Sequence, residues 1–227
     1  MNTAHTRTAS IDIPESGGIA ADASRVLRNT YRLLGLTLAT SAIAAGTAIA
    51  SGMPHPGLLI TLAGYFGLLF LTYRLRNSAW GLAAVFALTA FMGATLGPVI
   101  SRYLALPGGH QIVMMAMGAT ALIFIALSTW ATTSRRDFSF LGGFLTVGIL
   151  CAFFAGLGAV LFSIPALALT VSAAFVLLMG GLILYQTSEI VRGGETNYIL
   201  ATVTLYVSIY NLFSTLLQLL GVVNADD

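Results

Sequence analysis

The chain has 227 residues, of which 57% are apolar and only 8% charged, with a formal net charge of +2. Soluble domains carry about 25% charged residues, so a mean hydropathy of +0.91 excludes an ordinary soluble fold. The small positive charge is not gathered into a basic patch with interleaved aromatics, which excludes a nucleic-acid binder.

In chain order, residues 1–28 read as a flexible tail rich in Ser, Thr, Ala and Gly, with Pro14 and a Gly17-Gly18 pair and too little apolar surface to fold alone. Such a terminus is either a passive leader or a handle for a partner or protease. The stretch Arg25 to Arg32 begins the first helix among the lipid headgroups. Seven apolar runs follow, at 33–51, 57–73, 79–100, 111–131, 140–162, 166–185 and 198–220, and none contains Asp, Glu, Lys, Arg or His. Each is at or near the roughly 17–25 residues that cross a hydrocarbon core. The spacing predicts an all-α integral membrane protein: one seven-helix transmembrane domain over 29–221, then a short external tail, 222–227. The first run ends in Ala48-Ile49-Ala50, which resembles a signal cleavage site. The long polar segment before it and the six runs after it predict a retained span instead.

Arginines set the orientation through the positive-inside preference. Arg7, Arg25, Arg28, Arg32, Arg74, Arg76, Arg135, Arg136 and Arg192 fall on one side of the alternating spans, and Arg102 alone on the other, with Asp226 and Asp227. The expectation is a cytoplasmic amino terminus and an external carboxyl terminus.

Within the spans, GATLGPVI places Gly97 and Pro98 where they either kink the third helix, freeing a carbonyl to line a cavity, or end it near the outer surface. Glycines such as Gly142, Gly143, Gly156, Gly158, Gly180 and Gly181 suit close helix packing in lipid. Met114, Met115 and Met117 read as filler, because no Cys or His shares their span. The lone Cys151 forms no internal disulfide. His5, His55 and His110 are scattered and lack metal-ligand spacing, so no metal and no cofactor is expected. Carboxylates, which mark intramembrane proteases and proton- or sodium-coupled carriers, are missing from all seven runs.

The last run keeps polar groups on one side. Asn197, Ala201, Thr204, Ser208, Asn211, Thr215 and Gln218 recur at steps of three or four, the spacing of a single helical face. In hydrocarbon such a stripe needs protein or water partners. It is either the wall of a wet cavity or an interhelical adhesive. The loop before it, TSEIVRGGETNY, offers Glu189 and Arg192 three apart for pairing on one face, Gly193-Gly194 for a sharp turn, and Glu195 for the positive end of the last helix. Alternatively Glu189 and Glu195 close the bundle by pairing with Arg74, Arg76 or Arg135.

The segment GGETNYILATVTLYVSIYNLFSTLLQLLG, together with GATLGPVI, VLRNTYRLLGLTLATSAIAA and SFLGGF, resembles the bacterial branch of the Bax inhibitor-1 family over essentially all of the chain after the tail. That resemblance implies six helices around a central seventh, residence in the bacterial inner membrane, and a non-enzymatic role. It also implies binding to the membrane-anchored ATP-dependent protease FtsH and modulation of its activity, with the tail as a degradation handle. Other members of the family are proposed calcium leak channels gated by two aspartates. At the corresponding positions this chain has Gln186, in YQTSEI, and Ser208, in LYVSIYN. Two carboxylates can share a proton and titrate near neutral pH, whereas Gln and Ser cannot. The alternative reading is therefore a calcium leak channel with weakened pH sensing. Its candidate gate and polar core are Gln186, Glu189, Arg192, Glu195, Asn197, Thr204, Ser208 and Asn211.

Overall fold

The computed structural model describes residues 16–134 and 136–224. Arg7, His5, Arg135, Asp226 and Asp227 lie outside these, as does most of the predicted tail. The described residues form seven helices: α1 (Ser16–Ala50), α2 (Leu58–Leu75), α3 (Trp80–Leu104), α4 (Gly109–Ser134), α5 (Leu141–Leu161), α6 (Pro165–Arg192) and α7 (Tyr198–Val223). All seven are long and apolar enough to cross a membrane. No strand occurs among the described residues.

Helix boundaries follow local chemistry more than hydropathy. The first helix begins at Ser16, reaching back into residues that composition assigns to the tail. Pro165 opens α6 at the position where a missing N–H costs nothing. The same helix does not stop at residue 185, where the apolar run ends, but continues to Arg192. Gln186, Glu189 and Arg192 are thus helical residues and not loop residues. Hydropathy marks where lipid ends, while the helix ends where glycine allows it. Gly193 adopts φ 79°, its N–H and that of Gly194 close back onto the carbonyls of Ile190 and Glu189, and the chain turns.

The third helix runs through Gly97 and Pro98 to Leu104, so the pair does not end it. A proline here removes one ladder bond near the last turns, and Gly97 has a separate role in packing. A Cβ on Gly97 would lie 2.7 Å from the Ala48 Cβ and 2.8 Å from the Ala45 carbonyl oxygen, and one on Gly93 would run into the Ser41 carbonyl. Gly93 and Gly97, four apart on α3, therefore let α1 approach to backbone contact, with Ser41, Ala45 and Ala48 on the facing side. Small residues at this spacing are the usual route to tight helix pairs in lipid, where dispersion contacts replace the hydrophobic drive.

The most extensive helix contact is α1 with α3, and α7 packs against α1, α3, α4 and α6. The main core gathers Leu33, Val85, Leu88, Met179, Ile183, Leu205 and Leu212 from α1, α3, α6 and α7. A second cluster, Ile112, Val113, Ala116 and Leu217, joins α4 to the far half of α7. The second and fifth helices are peripheral. Thr72 is the one buried residue of α2, which packs on α3, while α5 packs on α6.

Candidate functional site

Most polar side chains inside the bundle bond to a carbonyl of their own helix, as Thr37, Thr72, Thr95 and Thr120 do, and a few connect helices. The Tyr206 hydroxyl donates to Ser41 Oγ (2.7 Å) and approaches the Thr89 carbonyl oxygen (3.3 Å), joining α7 to α1 and α3 in a fully buried position. Thr202 Oγ1 donates to the Tyr198 carbonyl (2.7 Å) and reaches the Thr30 carbonyl on α1 (3.3 Å). Ser172 of α6 donates to Gln218 Oε1 of α7 at 2.8 Å, and the Tyr31 and Ser128 hydroxyls bond α1 to α4. Periodicity alone did not single out Tyr206, Ser41 or Thr30; a buried tyrosine hydroxyl in hydrocarbon, which needs a partner, was the available signal.

The predicted stripe of α7 divides by depth. Asn197, at its start, is the N-cap: Oδ1 accepts from the N–H groups of Ile199 (3.0 Å) and Leu200 (3.2 Å). Its Nδ2 donates to the Arg76 carbonyl (3.1 Å) and to Asn77 Oδ1 (2.9 Å), fastening the α6–α7 turn to the α2–α3 turn. Ser208 is fully buried and donates to the Thr204 carbonyl at 2.8 Å. Asn211 Nδ2 donates to the Val207 carbonyl at 2.9 Å. Thr204 and Asn211 face a cavity of about 620 Å³ bounded by α2, α3, α5, α6 and α7, whose walls are chiefly aromatic and aliphatic. Ser208 and Gln186 are not among its lining residues.

On α6, Gln186 is 6% exposed, and its Nε2 has no hydrogen-bond partner among the described residues; Thr187 Oγ1 beside it likewise has none among them. Ser188 instead donates to the Arg136 carbonyl at 3.0 Å, holding the α4–α5 loop. That loop supplies the partner that the sequence did not indicate. Arg192 pairs with Asp137, and among the described residues this is the one ion pair. The expected Glu189–Arg192 pair is therefore replaced by a contact between helix end and neighbouring loop, because the last turn of α6 carries Arg192 toward the α4–α5 connection. Asp137 also accepts from the Ser139 N–H (2.8 Å) and hydroxyl. These bonds, with the Arg192 guanidinium, hold its carboxyl down to about 2.

Glu189 lies against the glycine turn, with its Oε2 2.5 Å from where a Gly194 Cβ would sit. Glu195 precedes α7 and accepts from the Asn197 N–H at 2.7 Å. Neither pairs with Arg74 or Arg76 among the described residues; Arg76 instead lies 4.5 Å over the Tyr73 ring. The proposed arginine closure thus has no contact here, and Arg135 lies outside the described residues. No group of three or more His, Cys, Asp or Glu gathers among the described residues.

The sequence of this bundle matches the family model described as inhibitor of apoptosis-promoting Bax1 over residues 23–225. The chain belongs to the Bax inhibitor-1 family. Among its relatives, the Escherichia coli K12 protein named modulator of FtsH protease YccA is 48% identical over 202 residues, covering 89% of this chain and 92% of that protein. An uncharacterized Pseudomonas aeruginosa protein is 53% identical, covering 91% and 93%. A Vibrio cholerae protein described as an uncharacterized membrane protein is 40% identical over the full length of both. With its seven apolar helices and a relative named an inner membrane protein, this Bax inhibitor-1 member is a multi-pass protein of the bacterial inner membrane.

Proposed function

We propose that this protein binds the FtsH ATP-dependent membrane protease and modulates it without enzymatic activity of its own. The observation that carries the reading is the 48% identity, over nearly the whole of both chains, to a protein named for modulating FtsH. The arginine-bearing ends of the helices face the cytoplasm and the carboxyl terminus faces outward, with α7 as the axis of the bundle and the first residues available to the protease as a handle. Recognition runs through the membrane faces and this tail, and being degraded and acting as modulator are separable.

The test is mild-detergent co-isolation of the tagged protein from native membranes, with mass spectrometry for FtsH and another seven-helix protein as control. Specific enrichment of FtsH is expected, and deletion of residues 1–15, which precede α1, then lowers degradation while binding through the membrane faces persists. No enrichment under conditions that keep other FtsH complexes intact sinks the proposal. The calcium-leak alternative gains no support from the α7 stripe, whose polar groups bond chiefly within the bundle. Proteoliposomes loaded with a calcium dye test it directly, and Ser208→Asp is the variant that restores one titratable carboxylate.

A further inference from the structure

The cavity of about 620 Å³ is larger than packing defects of close-packed interiors and falls within the roughly 300–1,000 Å³ typical of small-molecule sites. Its walls come from residues 61–69 of α2, 91–95 of α3, 149–154 of α5, 175–182 of α6 and 203–211 of α7. All of these lie inside helices that are long and apolar enough to cross a membrane. The mouth is lateral: Phe66, Leu150 and Phe154 line the cavity and are also 46%, 52% and 65% exposed on the outer surface. The floor is deep, since Met92 and Met179 line it and are buried.

Chemistry inside the cavity asks for a hydrocarbon. The hydroxyls of Thr61 and Thr95 donate to the carbonyls of Gly57 (2.8 Å) and Met92 (2.8 Å), and the Asn211 amide to that of Val207 (2.9 Å). The two hydroxyls and one N–H of the amide are satisfied by backbone carbonyls of their own segments; Tyr65, Thr204 and Tyr210 supply the other polar groups of a lining that is otherwise aliphatic and aromatic. Apolar cavities take up apolar molecules in preference to water, and the medium at this mouth is the bilayer. The Phe66 and Phe153 rings, with centroids 5.7 Å apart, bridge α2 and α5 across the opening. A partner helix, about 10–12 Å across with its side chains, would have to force these two helices apart, whereas a single chain passes beside the rings.

We propose that the acyl chain of a bilayer phospholipid occupies this cavity, entering between α2 and α5 and ending near Met92 and Met179. The guest stiffens two helices that otherwise have one packing partner each of any extent.

The full-length protein is reconstituted in phosphatidylethanolamine and phosphatidylglycerol vesicles containing a trace of phosphatidylglycerol with a diazirine in one acyl chain. After photolysis, adducts are mapped by peptide mass spectrometry. Adducts are expected around Met92 and Met179 as well as around the outward-facing Phe144 and Leu177. Val207→Trp, which fills the cavity from α7, lowers the inner adducts severalfold relative to those at Phe144; Leu182→Trp from α6 does the same if the first variant fails to fold. Adducts confined to the outer positions overturn the proposal, as does inner labelling unchanged in the filled variants. Inner labelling by a diazirine-bearing free fatty acid, with none from the phospholipid, overturns the assignment to membrane lipid.

Discussion

Asn197 accepts from two N–H groups at the start of α7 and donates to two oxygens in the α2–α3 turn. Its replacement by alanine removes a cap, typically worth about 1 kcal/mol, and strands two acceptors beside it. Asn197→Ala is expected to lower stability by about 1–3 kcal/mol, seen as a fall in thermal unfolding midpoint in mild detergent. Asn197→Asp keeps the cap acceptor and falls less. Gln186 predicts the opposite sign. A buried Nε2 with no partner among the described residues carries a desolvation cost of about 1–3 kcal/mol, so Gln186→Met is expected to raise the midpoint. A drop on that substitution would show that the amide has a partner in the working protein. Spacing put Asn197, and the family resemblance Gln186, among the candidate polar residues. Neither could say that Asn197 also fastens the α2–α3 turn or that Gln186 Nε2 lacks a partner among the described residues, because such contacts depend on what a distant segment places opposite.

At the scale of helices, the α1–α3 pair is the tightest joint of the bundle. Gly93 and Gly97 present no side chain to Ser41, Ala45 and Ala48, and the buried Tyr206–Ser41 bond closes the same region from α7. Because the obstacle at Gly93 is backbone and not a flexible side chain, Gly93→Leu should separate the two helices and cost several kcal/mol, more than the roughly 1–3 kcal/mol usual for overpacking. The expected readout is loss of the monodisperse species in detergent. Gly67, with open space around it, serves as the control, and Gly67→Leu is expected to stay folded. Of the span glycines read as packing residues, Gly142, Gly156, Gly180 and Gly181 do face a side chain of a neighbouring helix, whereas Gly143 and Gly158 have open space around them. Which glycines bear close packing was illegible, since Gly93 and Gly67 look alike until a partner helix is placed. The α6 boundary illustrates the converse limit, where polar residues 186–192 continue a helix that hydropathy alone ends too early.

For the whole molecule, charge lies at the helix ends, in the connections and along the first half of α1, and the one ion pair among the described residues joins the end of α6 to the α4–α5 connection. Asp137 has its carboxyl lowered from 3.8 to about 2 by Ser139 and Arg192. A depressed carboxylate contributes stability that is present above its ordinary value and lost as pH falls through the folded one. The unfolding midpoint is therefore expected to hold above about pH 5 and to fall between about pH 4 and 2. In Asp137→Asn that acid-side fall should be shallower; an identical curve would remove Asp137 from the account. Neither Gln186 nor Ser208 carries a carboxyl group, so these two positions add no transition near neutral pH.

Composition by itself determined that the chain lives in a membrane, because 8% charge leaves too little polar surface to face water. Apolar run lengths determined the seven helices, since in lipid each backbone group must bond within its own segment. Some local motifs were legible too: the Gly193-Gly194 pair marked a turn and the residues up to Asn197 opened the last helix, although the continuation of α6 to Arg192 was not read. Tertiary structure alone decided the rest. Arg192 meets Asp137, Tyr206 meets Ser41 and Phe66 meets Phe153 across separations in sequence that no periodicity encodes. The lateral cavity is of the same kind: five helices each contribute a few ordinary apolar residues, and the space exists only where their packing leaves α2 and α5 apart.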